Sequence, residues 1–416
     1  MAVTAPPDLA EVFREEAGRV TTALIRRFHN FDLAEECMQE ALVAAIETWP
    51  REGLPERPGA WLVTVASRRA LNRIDREKRY ADKLAQLAVE PRSAEEDDRL
   101  RLIMTCCHPA LSREAQVALT LRAVCGFTTS QIARAFLASE STVAQRLVRA
   151  KRKIAMAGIP YRVPPESELP ERLNEVLAVL YLVFNEGHLS TGGSAPSQRD
   201  LAEDAAWLAA LLHRLLPDQP EVLGLLALMK LHLARGAERF TPDGTLVLLA
   251  DQDRSRWNRR QIAEAVALIE RAASRLQPGP YQLEAAIAAC HAEAATFEAT
   301  DWRQIVVLYD LLLVLAPSPV VQLNRAIALW KIEGPVPALR ILEEIAGDLD
   351  GYHLFHAARG RLLTQLDRNE EARAAEARAL ALTGNPAERS LLRHRLFGEQ
   401  PTTGTPGRAS RSRRRR

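Results

Sequence analysis

The sequence predicts an all-α protein, and two features of the chain lead to that prediction. Alanine, leucine, arginine and glutamate dominate its 416 residues, whereas patterns typical of strands are nearly absent. Apolar residues instead recur at helical spacing, most clearly in the segment 128–156, TTSQIARAFLASESTVAQRLVRAKRKIAM. A chain of this length has room for about two to four domains.

This segment predicts two short helices separated by a tight turn. Thr128 and Gln131 have the spacing of a capping box at the start of the first helix, and Ser139 is a second N-cap. The second helix has an apolar stripe that is expected to be buried, formed by Val143, Leu147, Ala150 and Ile154. Between residues 140 and 156 the chain carries five positive charges against one negative charge.

The two helices together favour a helix-turn-helix that binds DNA. Small polar residues at the start of a recognition helix reach base edges in the major groove, while the cations behind them bind phosphates. A basic surface helix of an unrelated bundle is the alternative, and it would be the better interpretation of a lone helix. The capped partner helix at this spacing favours DNA binding instead.

Charge and cysteine usage exclude several classes of protein. The net charge is only +2, so any nucleic-acid surface must be local. The five cysteines are scattered without a CxxC pair, which is typical of a reducing cytoplasm. Cys106 and Cys107 precede His108, but adjacent cysteines lack the spacing of a zinc site, and we expect them to pack at a helix end. Residues 176–184 form the longest strongly apolar run, far short of the roughly 20 residues of a membrane helix, so we expect a soluble, cytoplasmic protein.

Three amphipathic helices are predicted before residue 80, and the last two differ in charge. The second has an outward acidic face that includes Glu36, Gln39 and Glu40. A Pro/Gly loop, 51–59, precedes the third, which begins near Trp61 and carries six cations against two acidic residues in its later half. The basic helix, the loop and the tryptophan ring suit a nucleic-acid backbone and an unstacked base. A solvated charged surface would explain either charged face alone.

Four motifs in the first part of the chain occur in a specific order. DLAEECMQEA begins at Asp32, RPGAWLVTVA at Arg57, SESTV at Ser139 and RLVRAKRK at Arg146. In this order and at these spacings they resemble domains two and four of bacterial RNA polymerase sigma factors of the extracytoplasmic-function (ECF) class. The resemblance covers residues 8–158, so two helical DNA-binding domains are expected there.

The resemblance implies three sets of site residues. The acidic helix of this family binds the coiled coil of the polymerase clamp, which here corresponds to Glu35, Glu36, Gln39 and Glu40. The third helix and its loop engage the minus-ten promoter element, which corresponds to Trp61, Arg68, Arg69, Asn72 and Arg73. The recognition helix reads the minus-thirty-five element, which corresponds to Ser141, Thr142, Gln145, Arg146, Arg149 and Arg152. Many relatives carry Asn at the position of Arg68. This departure from the family pattern affects what the resemblance implies about promoter melting and the capture of an unstacked base.

The chain continues well beyond these two domains. Three of its segments, 171–193, 251–259 and 279–292, resemble the C-terminal extension of one subgroup of these sigma factors, with His188 where relatives usually have Tyr. Small or apolar residues then recur every 34 positions in three series. The first is Ala292, Ala326 and Gly360, the second is Ala295, Leu329 and Leu363, and the third is Ala338 and Ala372. Helix pairs with this period are typical of tetratricopeptide repeats, whose concave face binds peptides or proteins. Chance recurrence is the alternative in an alanine-rich chain.

Two polar segments of the extension are candidate catalytic or metal-binding groups. They are Asn185-Glu186-Gly187-His188 and the segment from Asp251 to Trp257. The structural alternative, which we favour, is that Asn185 and Gly187 end a helix and that Asp–Arg pairs bridge neighbouring helices. Neither segment has the spacing of a metal site, so we expect no metal and no cofactor.

The sequence therefore predicts a non-enzymatic transcription initiation factor with a fused regulatory extension. We expect core RNA polymerase and promoter DNA as partners, a protein or peptide on the repeats, and no membrane. The expected boundaries are 8–80 (domain two), 81–97 (linker), 98–158 (domain four), 159–282 (helical extension), 283–395 (tetratricopeptide-like pairs) and 396–416 (basic disordered tail). A helix-turn-helix activator with a repeat sensor domain is the alternative, and an enzyme that uses Glu186, His188, Asp251 and Asp253 is a third hypothesis.

Overall fold

A computed structural model of the chain describes residues 9–28, 31–78, 95–136, 138–189, 196–241 and 246–397. Within these ranges every element longer than a single β-bridge is a helix, which confirms the all-α prediction. None of the described helices is long and apolar enough to cross a membrane. Nearly all of the predicted tail and most of the predicted linker lie outside the described residues.

The chain divides into two compact units. The first comprises Met1–His188 with Pro196–Asp218, and the second comprises Leu189–Ala195 with Gln219–Arg416. The first unit therefore contains both helical domains expected from the sequence, together with the beginning of the extension.

Three helices open the first unit, α1 (Leu9–Phe28), α2 (Phe31–Glu52) and α3 (Pro58–Lys78). Each packs against the other two, and Leu24, Met38 and Leu62, one from each helix, are buried. Trp49 is also buried, and its ring lies 5.4 Å from that of Trp61 in an edge-on contact. Burial of these apolar faces removes them from water and stabilises the bundle.

Four helices follow in the same unit, α4 (Glu95–Cys106), α5 (Arg113–Ala123), α6 (Thr129–Ala135) and α7 (Glu140–Met156). As expected, Cys106 and Cys107 are buried where α4 ends. Burial raises the pKa of the Cys107 thiol to about 11, so it stays protonated and unreactive at neutral pH. The described residues contain no group of three His, Cys, Asp or Glu side chains that could hold a metal ion.

The first unit is completed by α8 (Leu169–Leu189) and α9 (Pro196–Leu215), which belong to the extension. The prediction that Asn185 and Gly187 end a helix is wrong, because α8 continues through both to Leu189. His188 is buried and its ring stacks on that of Phe184 at 5.3 Å. Apolar packing of the last turn thus outweighs the low helix propensities of Asn and Gly.

Ten helices of the second unit are described, and most of them pack against the next helix in the chain. They are α10 (Pro220–Ala234), α11 (Arg259–Ala273), α12 (Pro280–Glu293), α13 (Trp302–Leu315), α14 (Pro319–Glu333), α15 (Pro335–Glu344), α16 (Ala346–Leu349), α17 (His353–Gln365), α18 (Asn369–Leu382) and α19 (Pro386–Phe397).

The polar segment from Asp251 to Trp257 has a structural role in this unit. Arg254 is buried and donates to the carbonyl oxygens of His291 and Ala294 at the end of α12. Asp253 accepts a hydrogen bond from the backbone N–H of Ser255 at 3.0 Å. Arg254 thus joins the segment to a helix end, whereas the Asp253 contact stays within the segment, and neither is the expected Asp–Arg pair between helices.

Candidate polymerase and DNA interface

The helix-turn-helix forms at α6 and α7 with the predicted caps. At the start of α6, the Thr128 backbone N–H donates to Gln131 Oε1 at 2.8 Å, and the Gln131 N–H donates to Thr128 Oγ1 at 3.1 Å. This reciprocal pair is the predicted capping box. Ser139 Oγ accepts from the Thr142 backbone N–H at 3.1 Å and caps α7. Both helix starts are therefore fixed by local hydrogen bonds that the sequence specifies.

The α7 helix separates a buried face from an exposed one. The predicted stripe is buried in full, and it consists of Val143, Leu147, Ala150 and Ile154. The predicted DNA-reading residues lie on the other sides. Ser141, Thr142, Gln145, Arg149 and Arg152 are exposed, and Arg146 is half-buried.

An open cleft of about 340 Å³ lies between the beginning of α5 and α7. Its polar lining consists of Ser112, Thr142, Gln145, Arg146, Arg149 and Lys153. Ser112 is the N-cap of α5, so the cleft brings a helix N-terminus together with three cations. Backbone N–H groups at a helix start and guanidinium groups both bind phosphate. This geometry suits a DNA backbone beside the recognition helix.

The acidic residues predicted on α2 do not all share one environment. Glu36 and Gln39 are exposed and Glu40 is partly exposed, so these three side chains are available on one face. Glu35 instead points towards α5 and α7. Its carboxylate accepts hydrogen bonds from Arg122 and from Lys151, both of them remote in the sequence.

The cations predicted on α3 lie beside the carboxylates of α2. Arg69 Nη1 is 3.1 Å from Glu40 Oε2. Arg73 Nη1 is 2.6 Å from Glu36 Oε2 and 3.7 Å from Glu40 Oε1. Side chains this exposed form pairs that each contribute at most about 1 kcal/mol, so the pairs can exchange partners easily.

The remaining predicted residues of α3 differ in exposure. Arg68 is exposed and carries no ion pair among the described residues, whereas Trp61 is half-buried against Trp49. Asn72 lies within α3, but its side chain is outside the described part of the structure.

One contact of α8 with this interface could not be predicted from the sequence. Glu175 Oε2 lies 3.0 Å from Arg113 Nη2 and accepts from Gln116 Nε2 at 3.3 Å, both on α5. Arg113 directly follows the cap residue that lines the cleft. An acidic residue on an amphipathic helix has no local signal for such a partner, because the pairing depends on how two helices pack.

Comparison with known proteins decides the family. Residues 12–80 match the family described as Sigma-70 region 2, and residues 101–154 match Sigma-70, region 4. The two domains together indicate an RNA polymerase sigma factor. Region 2 (residues 12–80) contains the acidic and basic helices, and region 4 (residues 101–154) contains the helix-turn-helix. A sigma factor acts in promoter-specific transcription, with core RNA polymerase and promoter DNA as its partners, and its family comprises transcription regulators.

Two further comparisons concern the rest of the sigma factor. Residues 172–273 match a family of unknown function (DUF6596). An uncharacterized protein of Rhizobium meliloti (strain 1021) is 45% identical over 396 residues, which covers 92% of this chain and 94% of the relative. The similarity therefore extends through most of the C-terminal extension as well. No solved structure matches the chain.

Proposed function

We propose that this sigma factor belongs to the ECF class and that its C-terminal extension regulates it. Only residues 81–100 separate regions 2 and 4, so no further domain fits between them. The four ordered motifs of the sequence support the same class. Because core polymerase and promoter DNA are its partners, we place its action in the cytoplasm.

The proposed polymerase-binding surface is the face of α2 with Glu35, Glu36, Gln39 and Glu40. The proposed minus-ten surface is on α3, with Trp61, Arg68, Arg69, Asn72 and Arg73. The proposed minus-thirty-five surface is on α7, with Ser141, Thr142, Gln145, Arg146, Arg149 and Arg152. The observation that carries the assignment of the minus-thirty-five surface is the cleft between the N-terminus of α5 and the cations of α7.

The 34-residue period of the extension supports a tetratricopeptide-like arrangement in part of the second unit. Ala326 and Gly360 occupy matching helices, α14 and α17, each of which packs against the helix that follows it. A Cβ at Gly360 would lie 2.8 Å from Glu376 Cγ of α18, so glycine permits the close approach of this pair. Ala292 lies near the end of α12 and Ala295 lies outside it, so the helix pairing supports the period from α14 onward. We propose a protein or peptide as partner for these repeats.

Contacts between the extension and region 4 support the regulatory role. Besides the Glu175–Arg113 pair, Arg172 of α8 donates to the Met104 carbonyl oxygen of α4. The Arg99 guanidinium of α4 lies 5.6 Å from the ring centroid of Trp207 of α9. The first two helices of the extension thus pack directly on the DNA-binding region, which supports a regulatory role.

Truncation tests the regulatory proposal, and the compact first unit defines where to cut. A chain that ends after Asp218 keeps α8 and α9 on region 4 and removes the second unit apart from Leu189–Ala195. We expect its promoter-directed transcription with core polymerase to differ severalfold from that of the full chain at matched concentration. Circular dichroism establishes that both proteins are folded. Equal transcript yields across a concentration series would contradict the regulatory role.

The same assay distinguishes the alternative function, a helix-turn-helix activator with a repeat sensor domain. Such an activator would bind promoter DNA alone and would not co-purify with core polymerase. Specific transcription that depends on adding the chain to core polymerase contradicts that alternative.

A further inference from the structure

Regions 2 and 4 touch each other in the first unit, and Glu35 joins them. One carboxylate oxygen of Glu35 accepts from the Arg122 guanidinium of α5, and the other accepts from the Lys151 ammonium of α7. The side chains of Glu35, Lys151 and Arg122 are only 17%, 14% and 11% exposed. Charge-assisted hydrogen bonds at such low exposure are strong, because solvent and salt screen them little.

The backbones of the two regions also approach closely. A Cβ at Gly18 of α1 would lie 3.2 Å from the carbonyl oxygen of Val124, which follows α5. Gly126 has a φ of +77°, and a Cβ there would lie 3.3 Å from Ala17 Cβ. The contact between the regions is therefore a packed interface that the ion pairs of Glu35 strengthen.

The other ion pairs of α2 are different in kind. Glu36 and Glu40 pair with Arg73 and Arg69 inside region 2, and all four side chains are 39–57% exposed. These pairs lie within one region, and solvent and salt screen them because their side chains are exposed. Among the contacts of the described residues, Glu35 is the one proposed polymerase-binding residue that pairs with region 4.

We propose that the contact of Glu35 with Arg122 and Lys151 is an autoinhibitory latch, which holds region 4 against the polymerase-binding face of region 2. The latch rests on the proposed assignment of that face to core polymerase. Core polymerase must present its own cations to Glu35 and displace those of region 4. The apparent affinity for polymerase is then the intrinsic affinity reduced by the fraction of molecules in which the regions are apart.

Opening of the latch has a second consequence. Regions 2 and 4 are proposed to bind two separate promoter elements, and a chain with the regions packed together presents them at one fixed spacing. Release of Glu35 frees region 4 to reach the upstream element while region 2 stays on polymerase. Polymerase binding and promoter reach are thereby coupled through one carboxylate.

The first test measures closure in the free, full-length protein. Fluorescent donor and acceptor groups are attached through unnatural amino acids at Glu52 and Met156, which are exposed ends of α2 and α7. We expect Lys151→Gln and Glu35→Gln to lower energy transfer, and Lys151→Arg to keep it. Arg162→Gln is the matched control, because it removes a positive charge from an exposed position shortly after α7.

The second test measures affinity for core polymerase without DNA. Lys151→Gln should bind about tenfold more tightly than the wild-type chain, since loss of one charged hydrogen bond shifts the closed population by roughly that factor. Arg162→Gln should bind like the wild-type chain. Core polymerase added to the labelled wild-type chain should lower its energy transfer to the level of Lys151→Gln.

The outcomes separate the latch from the polymerase-binding assignment. Unchanged energy transfer in both Lys151→Gln and Glu35→Gln would overturn the latch, whatever polymerase does. Lower transfer with unchanged polymerase affinity would overturn its autoinhibitory role. Charge reversal at Glu36 and Glu40 tests the polymerase-binding surface by itself, because neither residue belongs to the latch.

Discussion

The proposed DNA-binding cations of region 2 and of region 4 are held in different ways. In region 4, Arg149 and Arg152 are exposed and form no ion pair with any residue that the structure describes. In region 2, Arg69 and Arg73 already contact the carboxylates of Glu40 and Glu36. The recognition helix can therefore meet phosphates directly, whereas the helix α3 must first give up internal partners.

This difference suggests an order of events for the proposed surfaces. If polymerase forms ion pairs with the carboxylates of Glu36 and Glu40, the side chains of Arg69 and Arg73 become available to bind DNA. Binding of polymerase would then strengthen minus-ten recognition without any movement of α3. The exposed DNA-binding cations Arg149 and Arg152 of region 4 share no described ion pair with the polymerase-binding face. Access of region 4 to the upstream promoter element depends instead on the latch at Glu35.

The largest effect is expected from charge reversal on the acidic face. The double variant Glu36→Lys and Glu40→Lys should weaken association with core polymerase by at least about a hundredfold, because two attractive charges become repulsive. Co-purification with core polymerase measures the loss. Glu47→Lys with Glu52→Lys is the matched control on exposed positions of the same helix. Normal yield of the first variant, with unchanged helix content, would show that polymerase binds elsewhere.

Base recognition by region 4 should change by an intermediate amount. Gln145→Ala or Arg146→Ala should alter the preferred upstream bases, each contact contributing about 1–3 kcal/mol of discrimination. Arg149→Ala and Arg152→Ala serve as controls, because loss of a phosphate contact weakens binding to all sequences and flattens the salt dependence. Selection from a randomised promoter pool measures both effects. Identical base preferences before and after the Gln145 and Arg146 changes would remove these residues from the reading set.

The smallest effect is expected from the ion pairs inside region 2. Replacement of Arg69 and Arg73 by Gln should change the free energy of unfolding by less than about 1 kcal/mol per pair, since both partners are exposed. Promoter opening should nevertheless fall, because the same cations are proposed to bind DNA. Arg68→Gln is the control without an ion pair. A large loss of stability would show that these pairs hold the bundle together and would weaken the proposed exchange.

The sequence predicted the helices of this sigma factor better than the contacts between them. The caps at Thr128 and Ser139 and the buried stripe of α7 depend on residues three or four positions apart, so a local pattern identifies them. The direction of Glu35 depends on Arg122 and Lys151, which lie 87 and 116 residues further along the chain. The wrong helix end at Asn185 and Gly187 has a different origin. The helix α8 continues to Leu189, and the stacking of His188 on Phe184 is a contact within that helix which the low propensities of Asn and Gly did not reveal.

The backbone contact at Gly18 bears on how the two regions come apart. The backbones pack so closely there that even a methyl group would press on the carbonyl oxygen of Val124. Packed interfaces of this kind have discrete arrangements and do not deform continuously. The sigma factor should therefore be bistable, and conditions that favour opening would change the number of open molecules without changing how far each one opens.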